Sequence, residues 1–159
     1  MTRKILCYHA GHMTAAYAHA GLRFLYPENW VLDNRDDEGS PWSVSVHSPN
    51  GAFWALTVYD SSHSLDQLRK EMLAALEQDY SDSFFESNVL ELEVAGQRAE
   101  GYDITFFYLD FLIHAKLLTL QLGRHACVVL YQGEQKDFET LGTVFEAITY
   151  SLVSPDCDE

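Results

Sequence analysis

One cysteine and three histidines crowd into the stretch CYHAGHMTAAYAHAG, so that Cys7, His9, His12 and His19 are four side chains of the types that bind zinc. Their spacing argues against a site. Structural zinc is held by two close-set ligand couples on a knuckle or a helix, and no such couples are present. On an extended chain Cys7 and His9 share one face, and His12 falls on the other unless a turn at Gly11 redirects it. The expectation is no metal and no cofactor.

The other reactive side chains are scattered. Cys127 lies inside the apolar run ACVVLY, where a buried, inert thiol is expected rather than a thiolate, which needs basic neighbours. His125 is two residues away and shares a strand face with it. Asp103 and Asp110 flank an apolar strand and could pair as carboxylates, although an outward or turn aspartate accounts for each. His47, His63 and His114 stand singly near element ends or on strands. No G-x-S-x-G, P-loop, H-E-x-x-H or dinucleotide fingerprint is present, so no catalytic residue is assigned.

Charge narrows the partners. The formal net charge is −14, from 24 acids against 10 bases, and the only adjacent basic pairs are Arg3-Lys4 and Arg69-Lys70. Phosphate backbones and anionic membranes are bound by clustered cations, so neither nucleic acid nor a membrane surface is expected. A partner, if the charge serves recognition, is basic. Arg3-Lys4 and the later Ala18-His19-Ala20 mimic an export signal, but His9, Gly11, His12 and Thr14 interrupt the apolar stretch that such a signal requires. Cys7, Cys127 and Cys157 form no C-x-x-C pair and read as reduced thiols, which places the protein in the cytoplasm.

The elements that position these residues follow from hydrophobic period. A chain of 159 residues fits one domain. TAAYA and LRFLYP flank a turn at His19-Ala20-Gly21; NWVLDN is extended; RDDEGSP, residues 35 to 41, is an acidic exposed loop. WSVSVHS and AFWALTVYD make a hairpin about PNG. HSLDQLRKEMLAALEQDY changes to helical spacing, with Leu65, Leu68, Met72, Leu76 and Tyr80 as the stripe and Ser64 and Gln67 as a capping box. NVLELEV, QRAEGYDITFFYL, FLIHAKLLTLQL and HACVVLYQ continue as strands, and EQKDFETLGTVFEAITYSL is one more helix carrying Phe138, Leu141, Phe145, Ile148 and Leu152. The predicted fold is α+β, a mainly antiparallel sheet of about six strands with helices on both faces, because ITFFYL and ACVVLY are too continuously apolar to have one face in water. Residues 1–12, where GHM resembles a cloning junction, are predicted to be a disordered or foreign extension, 13–154 the single domain, and 155–159 an acidic tail.

Four stretches, LRFLYPENWVL, AFWALTVYD leading into SLDQLRKEMLAAL, LELEVAGQRAEGYDITF and FEAITYSL, resemble the PsbP-like superfamily over roughly residues 14 to 153. The superfamily includes the extrinsic PsbP protein of photosystem II, the Ran-binding import factor Mog and many uncharacterised bacterial proteins. The resemblance implies the Mog/PsbP-like α/β/α sandwich and a protein that binds partners instead of catalysing a reaction; some bacterial relatives are cytosolic chaperones for secreted effectors.

The function expected is a non-enzymatic protein-binding or accessory module, such as a cytosolic adaptor or chaperone. The candidate contact residues are Asp33, Asp36, Asp37, Glu38 and Trp42, which combine steering charge with an aromatic anchor. The alternative is a small-molecule-binding protein or enzyme with a pocket between sheet and helix lined by Tyr and Trp.

Overall fold

A computed structural model describes residues 2–5, 14–35, 41–80 and 84–154. Along the chain lie β1 (Thr2–Ile5), β2 (Thr14–His19), β3 (Leu22–Pro27), β4 (Val31–Arg35), β5 (Trp42–His47), β6 (Phe53–Tyr59), α1 (Leu65–Tyr80), β7 (Phe85–Val94), β8 (Gln97–Tyr108), β9 (Phe111–Leu122), β10 (His125–Glu134), α2 (Gln135–Thr140) and α3 (Gly142–Val153). Seven strands form one sheet in the order β4-β5-β6-β10-β9-β8-β7, every neighbouring pair antiparallel. The other three, β1-β2-β3, make a separate sheet. The main sheet thus has seven strands where about six are expected, and β2 and β3 pair with each other and not with it.

Connectivity explains the place of α1. The chain must pass from β6, in the middle of the sheet, to β7 at its far edge, and the helix packs on the three strands it crosses, β10, β9 and β8. The meander β7-β8-β9-β10 then returns by tight turns. One of them, Ala95-Gly96, has φ of 50° and 82°, the two positive values that a two-residue hairpin loop needs to match strand twist.

Side-chain parity divides the core in two. Ile104, Phe106, Ala115, Leu117, Ala126 and Val128 join Leu68 of α1, with Met72, Leu76 and Tyr80 alongside. Their neighbours of opposite parity, Leu118, Leu120, Cys127, Val129 and Tyr131, join Val44, Val46, Trp54 and Leu56, the helical Phe138, Phe145, Ile148 and Leu152, and Tyr17, Phe24 and Tyr26 of the smaller sheet. Both parities being buried on the central strands is what makes their sequences continuously apolar. Each fully buried large side chain contributes roughly 1.5–3 kcal/mol.

Polar ties set the helices on this core. Leu68 is the one fully buried residue of α1, and next to it the Arg69 guanidinium, 14% exposed, donates to Thr119 Oγ1 at 2.8 Å and to Asp66 at 2.8 Å, with Glu100 at 3.4 Å. Ser64 caps α1 as predicted, its Oγ accepting from Gln67 N at 3.3 Å, but the Gln67 side chain turns forward to Glu71 and leaves the capping box open. On α3, Thr149 Oγ1 accepts from the wholly buried Trp54 Nε1 at 2.9 Å, and Ser151 Oγ accepts from Leu25 N at 2.8 Å. A buried indole N–H requires such a partner.

One expectation changes. The single helix predicted over residues 134–152 is two, because Leu141 leaves helical geometry at φ −94°, ψ 7° beside Gly142, a weak helix former. Within the predicted N-terminal extension, Thr2–Ile5 is a strand paired antiparallel with β2, from Thr2 opposite Tyr17 to Ile5 opposite Thr14. It supplies main-chain partners along the side of β2 that β3 does not cover. Residues 6–13 and the acidic 155–159 lie outside the described residues. Among the described residues, no helix is long and apolar enough to cross a membrane.

Candidate functional site

Of the sequence-derived contact residues, the structure describes Asp33 and Trp42. Asp33 is exposed on β4, opposite Ser45, whose hydroxyl donates to the Asp33 carbonyl at 3.5 Å. Asp36, Asp37 and Glu38 lie outside the described residues. Trp42 is only 6% exposed, on the same buried face of β5 as Val44 and Val46, with its ring edge-on to His19 at 4.6 Å between centroids. A ring so placed is core and cannot serve as an exposed anchor. Cys7, His9 and His12 are outside the described residues, and among the described ones no three His, Cys, Asp or Glu side chains converge to hold a metal.

One pairing escaped the sequence. The β8–β9 turn puts Tyr108 opposite Phe111, so Asp103 faces Lys116 and Thr105 faces His114. His114 is thus the diagonal neighbour of Asp103, and its Nε2 bonds the carboxylate. The imidazole stacks on Phe138 of α2, centroids 4.2 Å apart, and Tyr131 lies beyond with its phenol pushed up by burial first and by Glu146 and Asp103 next. His114 is therefore not the lone histidine that the sequence suggested, since a carboxylate orients its ring. Yet Nδ1, the atom that would act as base, is buried and has no partner among the described residues. General-base work needs that nitrogen within reach of a substrate proton. Cys127 offers no thiolate nucleophile: its wholly buried thiol is pushed up to about 12 by desolvation and stays protonated. The pair ties β8, β9 and α2 together. Locating the turn at Leu109-Asp110 would have revealed it, because a two-residue loop sets every opposite pair along the hairpin.

The same hairpin ends in an apolar tip. Phe107, Tyr108, Leu109 and Phe111 are all exposed, and Phe84, just before β7, joins them with its ring 6.1 Å from that of Phe107. Tyr80, the last residue of α1, stacks on Phe106 at 4.3 Å and meets Tyr108 edge-on at 5.6 Å, so the base of the tip is held while its end projects. Leu109 is 76% exposed and sits at φ 56°, a left-handed conformation that branched side chains avoid. The charged residues flanking the cluster in the chain, Asp79, Glu86 and Asp110, are exposed and all acidic. Length and period revealed these strands, but exposure of their ends depends on where α1 stops.

No protein-family model matches the sequence, and no curated protein matches it. Solved structures do. The solution structure of the cyanobacterial PsbP protein CyanoP from Synechocystis sp. PCC 6803 superposes with a TM-score of 0.62 at 13% identity, covering 91% of this chain and 95% of that one. PA94 from Pseudomonas aeruginosa, described as a protein of unknown function and putative regulator, superposes with a TM-score of 0.51 at 11% identity, covering 90% of this chain and 97% of that one. With nine-tenths of the chain superposed, the fold is PsbP-like.

Proposed function

We propose that the protein is a non-enzymatic protein-binding or accessory module, an adaptor or chaperone of the cytoplasm, and that it docks its partner on the tip of the β8–β9 hairpin. The observation that carries this reading is Leu109, a large apolar residue 76% exposed at φ 56°, with four exposed aromatic side chains around it. Glycine would relieve the backbone at no cost in packing, so an exposed leucine there has a use other than stability. Exposed apolar clusters rimmed by charge are the usual sign of a protein contact. The acidic rim selects a partner that is apolar at its centre and basic around it, and the acids Asp33, Asp36, Asp37 and Glu38 add only to the steering field. The scaffold is taken as an α/β/α sandwich, α1 against one face of the sheet and α2 and α3 against the other, which the two residue sets of opposite parity support.

A photo-crosslinking residue at position 109 should capture a basic protein partner in cells, whereas one at Glu77, on α1, should not. With that partner purified, Leu109→Gly should weaken binding about tenfold or more, since a central anchor contributes about 1.4 kcal/mol or above. The same substitution should leave the protein slightly more stable, by roughly 0.5–1 kcal/mol, as left-handed strain is relieved. Unchanged affinity would overturn the reading, and a small molecule that raised the melting temperature by several degrees would favour a ligand pocket in its place.

A further inference from the structure

β7 is the last strand of the seven-stranded sheet, and among the described residues its ten residues are paired on one side only. Its phase follows from one bond. Phe107 N donates to Phe84 O at 3.3 Å, so 84 and 107 are a hydrogen-bonded pair, and the register then runs unbroken from Phe85 opposite Phe106 to Val94 opposite Gln97. In an antiparallel ladder such pairs alternate, so even-numbered residues of β7 direct their main-chain groups to β8. The odd-numbered ones, Phe85, Ser87, Val89, Glu91 and Glu93, direct theirs outward.

Among the described residues, this edge lacks most of the devices that block further pairing. Natural edges are protected by short strands, proline, bulges, lysines or a covering element. β4, the opposite edge, is five residues long. β7 is twice that, contains no proline, glycine or lysine, and has no bulge. What it carries is acid: Glu86, Glu91 and Glu93, all exposed, of which only Glu91 has an ion partner among the described residues, Arg98 at 3.0 Å, itself shared with Glu100. Val89, 78% exposed, stands on the same face as Glu91 and Glu93.

We infer that β7 is a strand-addition site for an extended basic segment of a partner protein, which pairs with the outward main-chain groups and meets the acids with alternate lysines or arginines. Lysines directly opposite Glu93 and Glu91 and an apolar residue opposite Val89 give the order basic-x-basic-x-apolar for an antiparallel segment. The charge that admits such a segment rejects a second copy, because edge-to-edge pairing would oppose two acidic strands of two chains carrying −14 each. The inference rests on the protein-binding reading and deepens it: the edge begins at Phe84, one of the tip aromatics, so a bound segment would run from the apolar tip along the acidic strand.

The test uses the full chain and a ten-residue peptide with lysine, lysine and valine at successive alternate positions in a threonine background, lacking any aromatic end and so independent of the tip. Binding should slow amide hydrogen exchange at Ser87, Val89 and Glu91 at least tenfold and leave the even-numbered amides unchanged. N-methylation of alternate peptide amides, made in both frames, should cost at least tenfold in affinity in the frame facing β7 and little in the other. Val89→Pro, which removes an outward N–H and no bond to β8, should abolish binding, and Glu91→Gln with Glu93→Gln should weaken it and flatten its salt dependence. Equal affinity of the two methylated frames, or no protection of the odd amides at millimolar peptide, would overturn the inference. If that happened while Leu109→Gly still impaired partner binding, the tip would stand without the edge; protection with no effect of Leu109→Gly would leave the edge without the tip.

Discussion

Replacing Gly101 by alanine tests how the two long strands β8 and β9 are held together. An added methyl carbon would lie 1.6 Å from the Leu117 carbonyl oxygen, 2.7 Å from its carbon and 3.0 Å from Leu118 Cα. All three atoms are main chain, so no side chain can rotate away. The nearest contact is 1.4 Å inside even a 3.0 Å separation, and relief requires the strands to part where Gly101 also opposes Leu90 of β7. Overpacking that a core accommodates by small shifts costs about 1–3 kcal/mol, and forced strand separation belongs at or above the upper end, roughly 3 kcal/mol. For a domain of this length the melting temperature should fall by roughly 6–12 °C. Gly123→Ala is the matched control: nothing lies within 4 Å, and φ of +60° sets only a conformational cost of about 1 kcal/mol. Urea unfolding and calorimetry on both variants decide it, and a Gly101→Ala loss no larger than that of Gly123→Ala would refute the close approach.

Two further outcomes follow from the core. Trp42→Ala should destabilise the free protein by about 3–5 kcal/mol, seen as a lower denaturant midpoint, and an unchanged midpoint would mean that the ring does not pack in the core. Alkaline stability should depend on Cys127. Its thiol ionises near 9.0 in the unfolded chain and about 12 when folded, so the unfolded state alone loses its proton between those values. The stabilisation is complete below pH 9 and is lost as pH rises toward 12, at about 1.4 kcal/mol per unit. Cys127→Ala should make the alkaline decline shallower by that amount, and parallel curves for the two proteins would contradict it.

Most strands were legible because a period of two and turn signals are local properties. The alternation in WSVSVHS and NVLELEV, the Ser64 cap and the Ala95-Gly96 turn all recur in the structure. The helical stripe of α1 was equally local, with Leu68 buried and Met72 and Leu76 beside it. The candidate site was less legible. Trp42 beside an acidic run has the composition of a surface anchor, yet parity with Val44 and Val46 carries it inside. Asp103 and His114 are eleven residues apart and meet only through the hairpin register.

By itself the sequence determined which residues share a face, where α1 begins, and that the central strands bury side chains of both parities. Tertiary structure alone decided which strands are neighbours. Pairing β6 with β10, whose residues lie some seventy positions apart, leaves β7 at the edge and sends α1 across β10, β9 and β8. Period-two patterns are the same for an edge strand and a central one with equal burial, because they record the direction of side chains and not the partners of the main chain. The aromatic tip is exposed for the same reason: α1 ends at Tyr80, and the hairpin beyond it has nothing to cover Leu109 among the described residues.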